Sequence, residues 1–572
     1  MARRTHRPSW RLLLLILALL VATGGVVLRL IQVQVIDHDY YAAQAENEHQ
    51  HQTVVRAPRG AILDRNGYPL VTTVEAFDIY IDPRPWKKDA IALEAASVVA
   101  PLLNRGVGEL IDAVRATEEG DYVAARSVSA SVGLTLLDET PSGVNVVDTS
   151  KRFYPEGDLA SNILGFIGRD QAGLAGVEAD YDIDLGGQPG VVYFERDAVG
   201  NPLPFGKTVV EEPLPGGDVQ LTIDRYIQRL VEQTLDAEIK KHEAGGGTII
   251  VMDPYTGELL ALASRPSFQL SKLNFDDPGQ ADLYRNRAVT DVYSPGSVMK
   301  TITMSMALDL GLANPDTTYF DSGEALVEGG ESIKNWDFSA HGTTTMTQVL
   351  QYSLNTGAVW VARLVGADKF YEYMERFGFG QPANTGLAGE PDGLVRTNAE
   401  EGWYPIDLAT NSFGQGISVT PIQMVTAVSS LVNGGQLMRP YIVKELSGPD
   451  GHRQFEPVVV RRTVSEQTSQ QLVRMMNAVV DGSPGHLAQV PGYRVGGKTG
   501  TTTFEDRPWS IASFIGFAPL ERPAFVMLVK IDEPKDDPLG GAVAAPIFGD
   551  LAPQILAYLG ARPDDVALVE GN

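Results

Sequence analysis

Apolar positions fall into three regimes along the chain. The first is an uncharged run of 17 residues, Leu12 to Leu28, closed by Arg29 and continued by Leu30, Ile31, Val33 and Val35. As a helix it just spans a hydrocarbon core. Arg3, Arg4, Arg7 and Arg11 precede it, which predicts a retained single-pass anchor over residues 1–37 with a cytoplasmic N-terminus. A cleaved signal peptide, with Ala22-Thr23-Gly24 as its small-residue site, is the alternative. The second regime, residues 38–212, alternates in short segments such as Ala61-Ile62-Leu63 and Phe77 to Ile81, around one helical pattern from Ala90 to Val114. Turn signals at Asp64 to Gly67, Asp82 to Pro85 and Gly186 to Gly190 are frequent. An elongated, mixed α/β, non-catalytic module is expected, ending at the linker Glu211 to Gly217.

The third regime, residues 213–572, opens with a helix capped by Asp224 and carrying Ile227, Leu230, Val231, Leu235 and Ile239 on one stripe. A hairpin follows, Thr248 to Met252 and Leu259 to Leu262, turning at Asp253 to Gly257. Three more strands are expected near the C-terminus: Tyr493 to Thr502, Ser510 to Ala518 and Ala524 to Ile531. An amphipathic helix, Ile547 to Leu559, comes after them, and the intervening pattern is mostly helical. Strands at both ends of a domain with helices between predict one antiparallel sheet flanked by helices, an α+β fold.

Composition narrows the setting. The chain has 572 residues, no cysteine and a formal charge of -26. Disulfides and thiolate metal sites are excluded, and an oxidising compartment poses no thiol problem. Five arginines and no acid lie in the first thirty residues, so the remainder carries about -31, which argues against nucleic acid as a partner. Eight scattered histidines form no His-x-x-x-His pair, and neither metal nor cofactor is expected.

The candidate chemistry begins in Tyr293-Ser-Pro-Gly-Ser-Val-Met-Lys300. Ser297 and Lys300 stand three residues apart, on one face of the helix that Thr301, Ile302, Met304, Met306 and Leu308 predict. Pro295 and Gly296 place the serine in the first turn, where unpaired N–H groups and the helix dipole favour developing negative charge. A lysine in a desolvated cleft can lose its proton and take that of the hydroxyl. A second candidate is Ser353-Leu354-Asn355, a hydroxyl and an amide aimed from a loop between helices. A third is Lys498-Thr499-Gly500 on the first C-terminal strand, with Thr501 next. Gly500 removes bulk where a substrate backbone approaches, and the lysine and threonine hydroxyls suit a carboxylate. Singly, the second motif reads as a helix cap and the third as an ordinary strand end.

All three in this order form the set seen in penicillin-binding proteins and class A β-lactamases, in which Asp is the usual residue at the position of Leu354. The chain resembles the class B penicillin-binding proteins, the membrane-anchored peptidoglycan D,D-transpeptidases, nearly end to end. Further segments carry the resemblance: Arg59-Gly-Ala-Ile-Leu-Asp-Arg-Asn-Gly67, Tyr154-Pro-Glu-Gly157, Gly173-Leu-Ala-Gly-Val-Glu178, Asp253 to Gly257, Asn286-Arg-Ala288 and Phe413 to Pro421. It implies a serine β-lactamase/transpeptidase-like domain after an N-terminal pedestal or dimerisation module. It implies Ser297 as nucleophile toward D-Ala-D-Ala stem peptides, Lys300 as base, and Ser353 as proton relay. Asn355 would hold the donor peptide, Thr499 and Thr501 hydroxyls its carboxylate, and Lys498 would help keep Lys300 neutral. Backbone N–H groups of Ser297 and Thr501 would form the oxyanion hole. An amine from a neighbouring strand would accept the acyl group, and β-lactams would block Ser297. A polytopic membrane glycosyltransferase is the implied partner.

A β-lactamase shares the motifs, but the large N-terminal module and the anchor argue against it. A β-lactam sensor lacks a cytoplasmic output domain here, and an inactive scaffold would not keep three intact motifs. Moderate length leans toward the division type of transpeptidase over the elongation type, which stays open.

Overall fold

Residues 10–41, 50–195, 209–273, 277–449, 451–482, 485–504 and 507–564 are described in this computed structural model. Arg3, Arg4 and Arg7 therefore lie outside the described residues. The chain divides into one unit of residues 1–58 with 187–215 and a second of 59–186 with 216–572. In the first, the helix Trp10–Ile31 runs on as a wider turn, Gln32–Ile36, with no buried residue. Its 27 residues are long and apolar enough to cross a membrane once. The same unit holds a three-stranded antiparallel sheet of Gln50–Val55, Gly190–Glu195 and Val209–Glu211.

In the second unit the helical pattern from Ala90 to Val114 is two helices, Asp89–Leu102 and Val107–Arg115, bent by 116°. The break falls at Asn104, whose φ of 55 an asparagine tolerates better than most residues, and at Gly106, which caps the second helix. Both helices bury alanine, valine and leucine against Phe77, Ile79 and Ile81 of the long strand Pro69–Ile81. That strand belongs to a seven-stranded sheet reaching Val443–Gly448 and Gly451–Gln454 through Ile62–Leu63 and Asp218–Leu221. Ile62–Leu63 pairs in parallel with Asp218–Leu221, so residues far apart in sequence share one sheet.

A buried ion cluster stabilises this region. Glu178 accepts from Arg59 Nε at 2.6 Å and from Arg152 Nε at 2.7 Å, and all three side chains are almost fully buried. Removing the central carboxylate leaves two guanidiniums without their buried partner. Glu178→Ala is therefore expected to cost roughly 3–5 kcal/mol, read as a lowered Tm. An unchanged Tm would show that the cluster is replaceable.

A second sheet has five antiparallel strands in the order Leu259–Arg265, Gly246–Met252, Phe525–Asp532, Arg507–Ala518, Gly496–Phe504. Its members begin or end a few residues from the expected limits. Every residue of Gly246–Met252 is buried, because both faces are covered. Ile249 and Val251 pack with the helices Arg225–Lys241 and Gly540–Tyr558. Ile250 and Met252 face the opposite core with Met299, Ile302, Met304 and Met306. Successive side chains point to opposite faces, so one strand feeds two cores. Asp224 caps the Arg225–Lys241 helix as expected, accepting from Tyr226 N and Ile227 N. The last helix starts earlier than expected, at Gly540, and tolerates Pro546 and Pro553 inside it.

The helix Met299–Asp309 runs through the middle of the domain, and every residue from Met299 to Leu308 is buried. Its polar members are satisfied locally: Thr301 and Ser305 hydroxyls donate to the carbonyls of Val298 and Ile302, and Thr303 donates to Ser412 O. A helix buried on all sides gives a fixed base for the residues at its N-terminus.

Candidate active site

Ser297 lies in a single 3₁₀ turn, Gly296–Val298, that leads directly into the buried helix. Gly296 has φ +57, and a Cβ there would come within 2.8 Å of Thr501 O and Thr502 Oγ1. Only glycine lets this turn lie against the edge strand Gly496–Phe504. Two further contacts hold it: Gly296 N donates to Gly414 O at 3.0 Å, and Thr502 Oγ1 donates to Ser294 O at 2.8 Å. Gly414, with φ +78, also leaves no room for a Cβ, which would meet Gly296 O at 2.4 Å. The Phe413 to Pro421 segment is thus the floor of the turn that carries Ser297, and Val419 pairs with Tyr293 just upstream.

Lys300 and Lys498 are both fully buried, and they flank one hydroxyl. Lys300 Nζ lies 3.3 Å from Ser353 Oγ, and Lys498 Nζ lies 3.0 Å from it. Lys300 also donates to Ser353 O at 2.6 Å and to Asn355 Oδ1 at 2.7 Å. Lys498 donates to Thr499 O at 3.1 Å. A neutral Lys300 amine has two N–H groups and one lone pair. The two strong acceptors take the N–H groups and leave the lone pair for a hydroxyl proton.

Burial pushes Lys300 well below the ordinary lysine range, and the neighbouring charge of Lys498 pushes it the same way. Burial alone lowers Lys498 to about 7. Desolvation therefore does more to neutralise Lys300 than the second lysine does.

Ser353 sits between the helices Met346–Gln351 and Asn355–Val365 with φ 57, a left-handed conformation that turns its hydroxyl toward both lysines. Leu354, the departure from the usual Asp, is completely buried in the main core and anchors this turn. Asn355 Nδ2 donates to Lys334 O at 2.9 Å. Its amide keeps one N–H and one lone pair for a ligand.

The structure brings Lys300, Ser353, Asn355, Lys498 and Thr499 into direct hydrogen bonding. It sets Ser297 one helical step from Lys300 and beside Thr501, with no hydrogen bond to the Ser297 hydroxyl among the described residues. Thr501 Oγ1 accepts from Gly540 N at 3.0 Å, which ties the edge strand to the last helix. Gly500 serves a different fit from the one its position suggests. A Cβ there would meet Ser513 Oγ at 2.3 Å, Val298 Cγ2 at 2.9 Å and Pro295 O at 3.0 Å. Its missing side chain admits the turn that carries Ser297. Sequence reasoning missed Lys334 and Gly540, which act through backbone atoms that no motif records, while Gly414 lies in the Phe413 to Pro421 segment without a role having been given to it. Among the described residues no cluster of metal-ligating side chains occurs.

Known proteins resemble this chain over most of its length. The family profile described as "Penicillin binding protein transpeptidase domain" matches residues 247–552, and "Penicillin-binding Protein dimerisation domain" matches residues 54–221. The chain is 37% identical over 519 residues to stage V sporulation protein D of Bacillus subtilis, covering 88% of this chain and 79% of that protein. It is 31% identical over 582 residues to the peptidoglycan D,D-transpeptidase FtsI of Escherichia coli K12, covering 99% and 94%. The crystal structure of penicillin binding protein 3 from Mycobacterium tuberculosis complexed with aztreonam matches with a TM-score of 0.68 at 27% identity. That match covers 89% of this chain and 98% of the other.

Proposed function

Because this chain belongs to the class B penicillin-binding proteins, peptidoglycan D,D-transpeptidation is its reaction, and we propose that Ser297 is the residue acylated. One observation carries the assignment: two buried, charge-depleted lysines share the Ser353 hydroxyl, and the first stands one turn from Ser297.

Neutral Lys300 takes the Ser297 hydroxyl proton as Oγ attacks the carbonyl carbon of the penultimate D-alanine. The oxyanion forms between the N–H groups of Ser297 and Thr501, each such donor being worth about 10²–10³ in rate. Ser353 gives its proton to the amine of the terminal D-alanine and regains one from the Lys300 ammonium. The C–N bond breaks, D-alanine leaves, and an ester to Ser297 remains. A neighbouring strand's amine then attacks that ester and loses a proton to the same base. A new amide forms and the Ser297 hydroxyl is restored. Asn355 holds the donor backbone, and Lys498, Thr499 and Thr501 hold its carboxylate. That anion favours the protonated form of Lys498, so donor binding draws a proton onto it. Among the described residues no strand pairs with the outer side of the edge strand Gly496–Phe504, which suits an extended peptide added alongside it.

The anchor arginines favour a cytoplasmic N-terminus and an extracytoplasmic catalytic domain. The family resemblance supports a polytopic glycosyltransferase partner in the membrane and, from moderate length, a role at division. A fluorescent fusion concentrated along the side wall would favour elongation instead.

The detergent-solubilised chain, given a stem pentapeptide ending in D-Ala-D-Ala and an amine acceptor, is expected to yield cross-linked peptide and free D-alanine in equal amounts. Penicillin pretreatment should abolish both. Release of D-alanine with water as the only acceptor would overturn transpeptidation in favour of hydrolysis.

A further inference from the structure

Asn355 is oriented from outside the three motifs. Its Nδ2 meets Lys334 O, a pure acceptor, so its Oδ1 must turn to Lys300 Nζ. Reversing the amide would set an NH₂ group against the lysine N–H groups and a carbonyl against a carbonyl. Lys334 ends one arm of a small hairpin, Glu324–Leu326 with Ser332–Lys334. A neighbouring hairpin pairs Thr318–Asp321 with Gly342–Thr345.

The element joining these pieces is Asp321, which is completely buried. Its Oδ1 accepts from Thr356 Oγ1 at 2.8 Å and Gly323 N at 3.0 Å. Its Oδ2 accepts from Asn335 Nδ2 at 2.9 Å and His341 N at 3.0 Å. Asn335 follows Lys334, and Thr356 follows Asn355. These successors are also bonded to each other, Thr356 N donating to Asn335 Oδ1 at 3.3 Å. The carboxylate thus clamps both residues that flank the Lys334–Asn355 contact. Burial would raise its pKa, but the donors from Gly323, Thr356, His341 and Asn335 together hold it below the ordinary value.

We propose that Asp321 is a positioning residue for acylation: it fixes the Lys334 carbonyl against the Asn355 amide and so presents Asn355 Oδ1 to Lys300. An Asn at 321 cannot replace it, because its NH₂ would face two of the four donors. The proposal rests on Ser297 being the acylated residue.

The test is a double-mutant cycle on the full chain, with acylation by a fluorescent penicillin as readout and Tm measured alongside. Asp321→Asn is expected to slow acylation about 10–100-fold, the range for residues that orient another functional group. In an Asn355→Ala background the same change should cost less than twofold, because the residue it positions is gone. A purely structural role would lower the rate by the same factor in both backgrounds. Equal losses in the two backgrounds, or an unchanged rate in Asp321→Asn, would overturn the clamp. If Asp321→Asn does not fold, Thr356→Val removes one leg of the clamp at similar shape and is expected to show the same non-additivity. An unlabelled wild type would instead overturn the reading of Ser297, and this proposal with it.

Discussion

Ser297→Ala is expected to abolish covalent labelling by fluorescent penicillin, and Lys300→Met to slow it by roughly 10⁴-fold or more, both in folded protein. Ser297 is only half-buried, so alanine removes the proposed nucleophile without opening a core cavity. Lys300 differs, since its stem is buried in the main helix and its amine meets Ser353 O and Asn355 Oδ1. Methionine fills the stem's space but supplies no proton acceptor. Lys300→Arg should fail as well, because a guanidinium cannot become neutral in a protein. Label retained on Ser297→Ala would mean that another residue is the nucleophile. Full-rate labelling of Lys300→Met would remove lysine from the role of base. The pH profile of wild-type acylation efficiency should also be bell-shaped. The rising limb follows loss of the Lys300 proton, whose pKa burial and Lys498 depress. The falling limb, near 7 in the free enzyme, follows loss of the Lys498 charge proposed to hold the substrate carboxylate.

What could be read along the chain was local chemistry at short spacing. Ser297 with Lys300, Ser353 with Asn355, and Lys498 with Thr499 each lie within four residues; helix and strand geometry aim the first and third pairs, whereas the left-handed turn at Ser353 and the Lys334 carbonyl aim the second. The strands at both ends of the domain were legible because their apolar runs are bounded by turn residues. The pairing of Ile62–Leu63 with Asp218–Leu221 was not, because parallel partners distant in sequence leave no local signature. The 116° break within Ala90 to Val114 escaped the apolar pattern because both helices keep an apolar face to the same strand. Gly500 was placed on the right strand, but its reason was hidden. The atoms it makes room for belong to Ser513, Val298 and Pro295, and only the assembled sheet reveals them. Leu354 looked like a departure from a motif, and burial shows it to be a core anchor.

Lys498→Met is expected to make the protein more stable at pH 7 while removing transpeptidation. Lys498 has a pKa of about 7 in the folded protein, against 10.5 for an ordinary lysine. Its folded value lies below its unfolded one, so between those pH values the unfolded chain binds more protons and stability rises with pH. Below about pH 7 the full penalty of a buried charge is present; at about 1.36 kcal/mol per pKa unit it is near 4 kcal/mol at neutrality. Methionine avoids that penalty but forfeits the bonds to Ser353 Oγ and Thr499 O, each worth about 1 kcal/mol. A net gain of about 1–3 kcal/mol at pH 7 follows, shrinking toward pH 10 as the wild-type penalty disappears. Urea denaturation of the two proteins at both pH values measures it. A variant less stable at pH 7, or a gain that does not change with pH, would show that Lys498 is no buried charge. Lys300 should respond too: without the neighbouring charge its pKa rises, although burial still holds it below the ordinary range. On the proposed mechanism, the lysine assigned to the substrate carboxylate is thus kept at a cost to folding, and its charge helps keep Lys300 neutral as the proposed base for Ser297.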